Sequence, residues 1–246
     1  MFRMIQTTES LITPAATQAL TLDYVKTHLR SLGDADDALV RGWIDAAASY
    51  FTEKTGRPLV TETRELWLEG FPNAFGHGWF PDWPGHLLGL IELPHPPLVK
   101  VNSIKYLDAT GAYVDFSDGG SPETLYWQAG APQGPYARRG WVRPIAGQCW
   151  PITQPDPAAV KINYDCGYGG VEDVPELARG ILCYLIASYD QNRSPVAFRS
   201  AFSDFPIGIS EVLDGFKSTA LPSQVLRHPY PFGPYGGYGG YGGYPW

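Results

Sequence analysis

The sequence predicts an α+β protein. It should combine a small helical bundle, made of two N-terminal helices and a buried C-terminal helix, with a β-rich antiparallel middle and a flexible Gly/Tyr-rich C-terminal arm. Three observations carry this. Apolar residues recur at helical spacing across 22–32, 34–55 and 175–189. The period drops towards two through much of 59–169, as it does in strands. From His228 the chain becomes a Gly/Tyr/Pro repeat with neither period.

The elements follow in order. Residues 1–20 are Thr/Ala-rich, without clear periodicity, and read as an extended N-terminal arm. Residues 21–58 hold the N-terminal helices. Thr21 stands before LDYVKTHLRSLG, where its hydroxyl can cap a helix that Gly33 can end in the left-handed conformation. Leu22, Val25, Leu29 and Leu32 share one face. Asp34, Asp36 and Asp37 open the second helix, where carboxylates meet the positive end of the helix dipole. Leu39, Trp43, Ala47, Tyr50 and Phe51 form its core stripe, widened by Val40 and Ile44; Gly56 ends it and Pro58 prevents its continuation.

Residues 59–170 form the β-rich insertion. LVTETRELWLEGF, GLIELP (89–94), VNSIKYLD (101–108) and AYVDF (112–116) are strand candidates, the last two joined as a hairpin by Ala109-Thr110-Gly111. LYWQAG, WVRPI and AVKINYDCGYG add shorter ones.

Residues 171–217 return to helix. Pro175 suits the first helical position, where its missing N–H costs nothing. Leu177, Ile181, Leu182, Leu185, Ile186 and Tyr189 make a broad apolar face. Gly180 within it costs about 1 kcal/mol against Ala, and close backbone packing against another helix is one reason to keep it. A last short helix, ISEVLDGF, has Ser210 and Glu211 near its start. Residues 218–246 are the extended Gly/Tyr/Pro-rich arm.

Composition narrows the function. The 246 residues carry a net charge of -7, which argues against a protein that neutralises phosphates along a nucleic acid. Arg138, Arg139 and Arg143 beside Trp141 are the one basic cluster, and a solvated loop accounts for them. No run of 18 apolar residues occurs, so no membrane-spanning helix is expected, and MFRMIQTTESLITPAATQ has no secretory apolar core. Cys149, Cys166 and Cys183 have no metal-like spacing and read as buried thiols in a reducing compartment.

No catalytic motif is found: no GxSxG, no phosphate loop, no HExxH and no CxxC. His77, Asp82 and His86 could bind a metal only if their Gly/Pro/Trp loop held them together, and an aromatic loop packing on itself is the simpler reading. Glu172, Asp173 and Glu176 complement a helix dipole, His95 is a loop residue and His28 lies on a helix surface. The expectation is a non-enzyme with no catalytic, metal-binding or cofactor-binding residue and no cofactor.

Four segments carry a family resemblance. LTLDYVKTHLR (20–30) followed by DADDALVRGWIDAAASYFTEKTGRPLVTET (34–63) resembles the opening helical pair of the head-tail connector proteins of tailed bacteriophages, also called adaptor or head-completion proteins. IELPHPPLVKVNSIKYLDATG (91–111) is similar to that family's Pro-Pro-Leu strand and hairpin. VKINYDCGYGGVEDVPELARGILCYLIASYDQNR (160–193) is similar to its Gly-Tyr-Gly turn, Val-Pro and terminal helix, and FPIGISEVLDGF (205–216) to its closing segment. The loop 71–88 is longer and more aromatic than the family pattern, and the tail after Arg227 is an addition.

The resemblance implies a structural protein of the virion neck, assembled in the host cytoplasm. Its partners would be the portal protein, a tail-side neck protein (stopper or terminator) and further copies of itself in a ring of about twelve, with DNA passing through the channel without sequence-specific binding and no membrane involved. The alternative is a β-rich carbohydrate-binding module that stacks sugars on exposed aromatics, for which Trp79, Trp83, Trp127 and Trp141 are candidates. In the tail, Tyr235, Tyr238, Tyr241 and Tyr244 recur every three residues and Trp246 follows. They predict a partner-binding arm: Gly pairs let the chain follow a surface, and each Tyr brings a large apolar face and one hydroxyl.

Overall fold

Two cores organise the chain, one helical and one between sheets. The computed structural model describes residues 7–30, 33, 36–71, 90–116, 126–129, 134–144, 150–191 and 207–217. In chain order the elements are β1 (Thr7–Thr13), α1 (Leu22–Leu29), α2 (Asp37–Thr55), β2 (Glu62–Leu68), β3 (Ile91–Leu93), β4 (Leu98–Leu107), β5 (Tyr113–Asp115), β6 (Tyr126–Ala129), β7 (Gly140–Pro144), β8 (Val160–Cys166), a 3-10 turn (Val171–Asp173), α3 (Glu176–Gln191) and α4 (Ile207–Phe216).

The helices form where capping and periodicity place them, with corrections of detail. The Tyr24 N–H donates to Thr21 Oγ1 at 3.3 Å, as the sequence predicts. α1 ends at Leu29, four residues before Gly33, and Arg30 takes the left-handed conformation at φ 56°. That costs a non-glycine residue about 1 kcal/mol. α2 ends at Gly56, φ 69°, as expected. Its buried stripe is Val40, Ile44, Ala47 and Phe51, while Leu39 is 44% exposed and Trp43 is only partly buried. The stripe is thus rotated from the predicted one, because α3 and α4 both pack on the Phe51 side of α2. The rings of Phe51 and Phe216 meet edge-on at 5.3 Å.

α3 buries Ala178, Ile181, Leu182, Cys183, Leu185, Ile186 and Tyr189, but Leu177 is 46% exposed. At Gly180 a Cβ would meet no atom within 4 Å among the described residues, so none of these packs closely on it. Pro175 precedes the helix and supplies its first accepting carbonyl, to the Arg179 N–H at 3.0 Å. The acidic group before α3 does more than complement a dipole. The Gly170 N–H donates to Asp173 Oδ2 at 2.8 Å, and the Arg179 guanidinium donates to the carbonyls of Val171 and Glu172 at 3.0 and 2.7 Å. α4 starts at Ile207, two residues before the predicted start, so Ser210 and Glu211 lie inside it.

The middle is antiparallel throughout its described pairings. One sheet has the order β1-β2-β8-β4-β5 and the other β3-β7-β6. The predicted hairpin joins β4 and β5, with Asp108 Oδ1 accepting from the Thr110 and Ala112 N–H groups at 2.8 and 3.0 Å. Leu66, Leu68, Leu98, Ile104, Ile162 and Tyr164 of the larger sheet share a core with Ile91, Leu93 and Val142 of the smaller one. At Gly140 the two sheets come too close for a side chain, since a Cβ there would lie 2.4 Å from Leu98 Cδ2. At the rim the Phe71 and Trp150 rings stack at 4.4 Å.

Part of the predicted N-terminal arm is therefore sheet: extended it is, but Thr7–Thr13 forms an edge strand paired to β2, with an irregularity at Ile12. Composition alone could not show this, because each residue's partner lies 50 to 61 residues away in sequence.

Candidate functional site

In β2 the even positions are Glu62, Arg64, Leu66 and Leu68. Alternation puts all four on one face. Leu66 and Leu68 enter the intersheet core, so the two charges sit at the end of an inward-facing row. Register brings Glu9 of β1 opposite Leu66, and Tyr164 and Cys166 of β8 opposite Arg64 and Glu62.

These groups close into a cluster with His95, from the link between β3 and β4. A His95 ring nitrogen facing a carbonyl must carry the proton, so Nδ1–H donates to the Gly56 carbonyl at 2.8 Å. The opposite nitrogen, Nε2, lies 2.7 Å from Glu9 Oε2 and 3.0 Å from Arg64 Nη1. Arg64 Nε donates to Glu62 Oε1 at 2.5 Å, and the Tyr164 hydroxyl donates to Glu9 Oε1. The side chains of Glu9, Arg64, His95 and Glu62 are only 12–17% exposed.

The electrostatics follow from that enclosure. Burial alone would raise the Glu9 carboxyl, but the hydrogen bonds from His95 and Tyr164 and the charges of His95 and Arg64 outweigh it and hold it below the ordinary value. Burial, reinforced by Glu9, pushes the Tyr164 hydroxyl far above its usual range. Burial and then Glu62 push the Cys166 thiol up as well, and burial raises Cys183. Such thiols are poor nucleophiles. The arrangement can share protons and hold segments together: it ties β1, β2, β8, the β3–β4 link and the end of α2 at one point.

A second buried cation lies nearby in sequence. Arg57 follows the cap of α2 and is 3% exposed. Its Nε donates to the carbonyl of Phe216, the last residue of α4, a favourable place for a cation. Burial lowers its pKa, against the opposing influence of Tyr168. Tyr168 in turn donates to the Pro135 carbonyl at 2.6 Å, and the Tyr136 ring lies 5.2 Å from that of Phe216. The end of α4 is thereby held between the helical core and the link before β7.

The residues singled out in the sequence fall elsewhere. Tyr235, Tyr238, Tyr241, Tyr244 and Trp246 lie outside the described residues, as do His77, Asp82, His86, Trp79, Trp83 and Cys149. Arg143 stands over the Trp141 ring at 5.3 Å, and Arg139 is 3.7 Å from Glu92. The basic cluster is thus partly engaged within its own sheet, with Arg143 over one face of the Trp141 ring. Trp127 lies on β6. Among the described residues no group of three or more His, Cys, Asp or Glu is placed to hold a metal ion, and no helix is long and apolar enough to cross a membrane. Sequence reading missed Glu9, Arg64, Tyr164 and the role of His95. The available signal was the Glu62/Arg64 pair in phase with two core leucines.

Scans against protein-family models and against curated proteins return no match. Solved structures do match. A chain of the neck of an empty gene transfer agent particle, computed with C6 symmetry, superposes with a TM-score of 0.62 at 19% identity, covering 87% of this chain and 97% of that one. A chain of the native gene transfer agent virion gives 0.59 at 20% identity, covering 87% and 96%. A chain of the neck of the native particle, computed with C12 symmetry, gives 0.59 at 17% identity, covering 87% and 97%. The chain therefore shares its fold with chains found in the necks of phage-like particles.

Proposed function

We propose that this chain is a structural neck protein, the head-tail connector of a tailed-phage-like particle. In this reading it forms a ring beneath the portal, joins capsid to tail and continues the DNA channel. The observation that carries the reading is the near-complete coverage of the neck chains, 97% of their length in two cases, so that the whole fold is alike rather than one module. The four sequence segments that resemble connector proteins lie in the same order within it. The net charge of -7 is consistent with a conduit that does not grip phosphate. Its partners would be the portal, a tail-side neck protein and copies of itself, about twelve to a ring, in a particle assembled in the host cytoplasm.

The arm of residues 229–246 has a place in this reading as an anchor on a neighbouring subunit or the portal, through Tyr235, Tyr238, Tyr241, Tyr244 and Trp246. Ordering about 18 residues costs on the order of 1–2 kcal/mol each, so the opposing contacts must be extensive. Deleting 229–246 should leave the fold intact and yield heads that leak DNA or lack tails; unchanged particle yield and stability would remove the anchoring role. The function as a whole is tested by electron microscopy of the purified chain with and without portal protein. Rings that co-assemble with the portal are expected, and a monomer that never joins a portal overturns the reading.

A further inference from the structure

We infer that His95 is a proton-operated latch on β1: with its ring charged it fastens Glu9, and with its ring neutral it turns to Arg64 and lets Glu9 go. The inference is independent of the neck reading. It starts from a conflict at one atom. His95 Nε2 lies 2.7 Å from Glu9 Oε2, a carboxylate oxygen that can only accept, and 3.0 Å from Arg64 Nη1, which can only donate. One ring nitrogen cannot serve both. Carrying a proton, it donates to Glu9 and meets Arg64 donor to donor. Without one, it accepts from Arg64 and turns a lone pair on the carboxylate. The other nitrogen offers no way out, because Nδ1–H is committed to the Gly56 carbonyl at 2.8 Å. The proton on the ring therefore selects the partner, and the two partners stand on different strands, Glu9 on β1 and Arg64 on β2.

Histidine is the side chain whose charge changes in the physiological range. The groups around this one hold theirs. From β1, Glu9 would be raised by burial, but the bonds and charges of its neighbours hold it low, so it stays a carboxylate. From β2, Arg64 would be lowered by burial, but the hydrogen bond and charge of Glu62, then the charge of Glu9, outweigh that, so it stays a cation. From β8, Tyr164 and Cys166 are pushed up by burial and stay neutral. The His95 side chain is 16% exposed, so its proton can exchange with water. What departs with that proton is specific. Arg64 still donates from Nε to Glu62 and does not need Glu9. Glu9 keeps the Tyr164 hydroxyl but loses its tie to the β3–β4 link and, through Nδ1, to the end of α2. β1 stands at the sheet edge with β2 as its one strand neighbour among the described residues, so the loosening falls on its backbone first. The fastening is thus present while the ring is charged and lost as pH rises through its titration.

The test follows the full chain by NMR from about pH 5 to about pH 9, the range that brackets an imidazole. The His95 ring resonances report its proton. Amide exchange, corrected for the intrinsic effect of pH, reports Thr8–Thr13. Protection of β1 should fall about tenfold or more as the ring loses its proton, with the same midpoint, which is the scale of one hydrogen bond to a charged group. The amides of Lys105–Leu107 in the same sheet and Ile181–Leu185 in α3, all outside the cluster, should not follow. In Glu9→Gln the ring faces an uncharged amide, and in His95→Gln nothing at that position titrates. Both variants should lose the step, and using two keeps the test decisive should one misfold. A ring that titrates with no change in β1 overturns the latch. So does a ring that keeps one charge across the whole range, and so does a step that survives in either variant.

Discussion

Replacing Glu9 by Gln should unfasten β1 at neutral pH. Glu9 is 17% exposed, and its two carboxylate oxygens divide their work: Oε1 accepts from Tyr164, and Oε2 faces His95 at 2.7 Å with Arg64 at 3.7 Å. Gln keeps the shape but removes the negative charge that Arg64 and His95 face. Hydrogen bonds to a charged group contribute about 1.5–3 kcal/mol, and Arg64 retains Glu62 as partner, so the expected loss is about 2 kcal/mol. The pH dependence has a definite sign. The folded Glu9 carboxyl titrates below its ordinary value of 4.5, so its contribution is fully present above that value and is lost as pH falls through the lower, folded one. The gap between parent and Glu9→Gln should therefore be widest near pH 7 and close on acidification below about pH 4. Urea unfolding at several pH values measures the gap, and amide exchange over Thr8–Thr13 locates it. Equal stability at pH 7 with undiminished protection of β1 would refute the reasoning. A double-mutant cycle with Tyr164→Phe should show a coupling of about 0.5–3 kcal/mol, since the two groups share a hydrogen bond.

Gly180→Ala should stabilise the unassembled chain by up to about 1 kcal/mol, read as a higher melting temperature, because the added methyl meets open space. Gly140→Ala should do the opposite, costing about 1–3 kcal/mol in urea unfolding, because its Cβ would sit 2.4 Å from Leu98 and force the sheets apart. Cys166 and Cys183 should resist a thiol reagent at pH 8 in the native state and react on unfolding, as burial holds both thiols protonated; fast native labelling of either would show that the enclosure is wrongly described.

By itself the sequence determined what depends on neighbours along the chain. The helical stretches, the Thr21 and Gly56 caps, the strand segments and the Asp108–Ala112 turn are all local: a stripe every three or four residues, alternation, or one side chain bonding the backbone two to four positions away. Only the tertiary structure decided the rest. Which side of α2 is core depended on where α3 and α4 packed, so Leu39 came out at the surface although its spacing is as good as that of Val40. Among the described residues nothing comes within 4 Å of a Cβ built at Gly180, which periodicity cannot report. The division of strands between two sheets, and the promotion of Thr7–Thr13 from arm to edge strand, required pairings across long stretches of sequence. The Glu9, Arg64, His95 and Tyr164 cluster shows the limit most clearly. Only Arg64 left a signal in the sequence, as a charged pair with Glu62 in phase with Leu66 and Leu68; the other members come from three further segments. Only folding brings them within hydrogen-bonding distance, where burial makes each depend on the others.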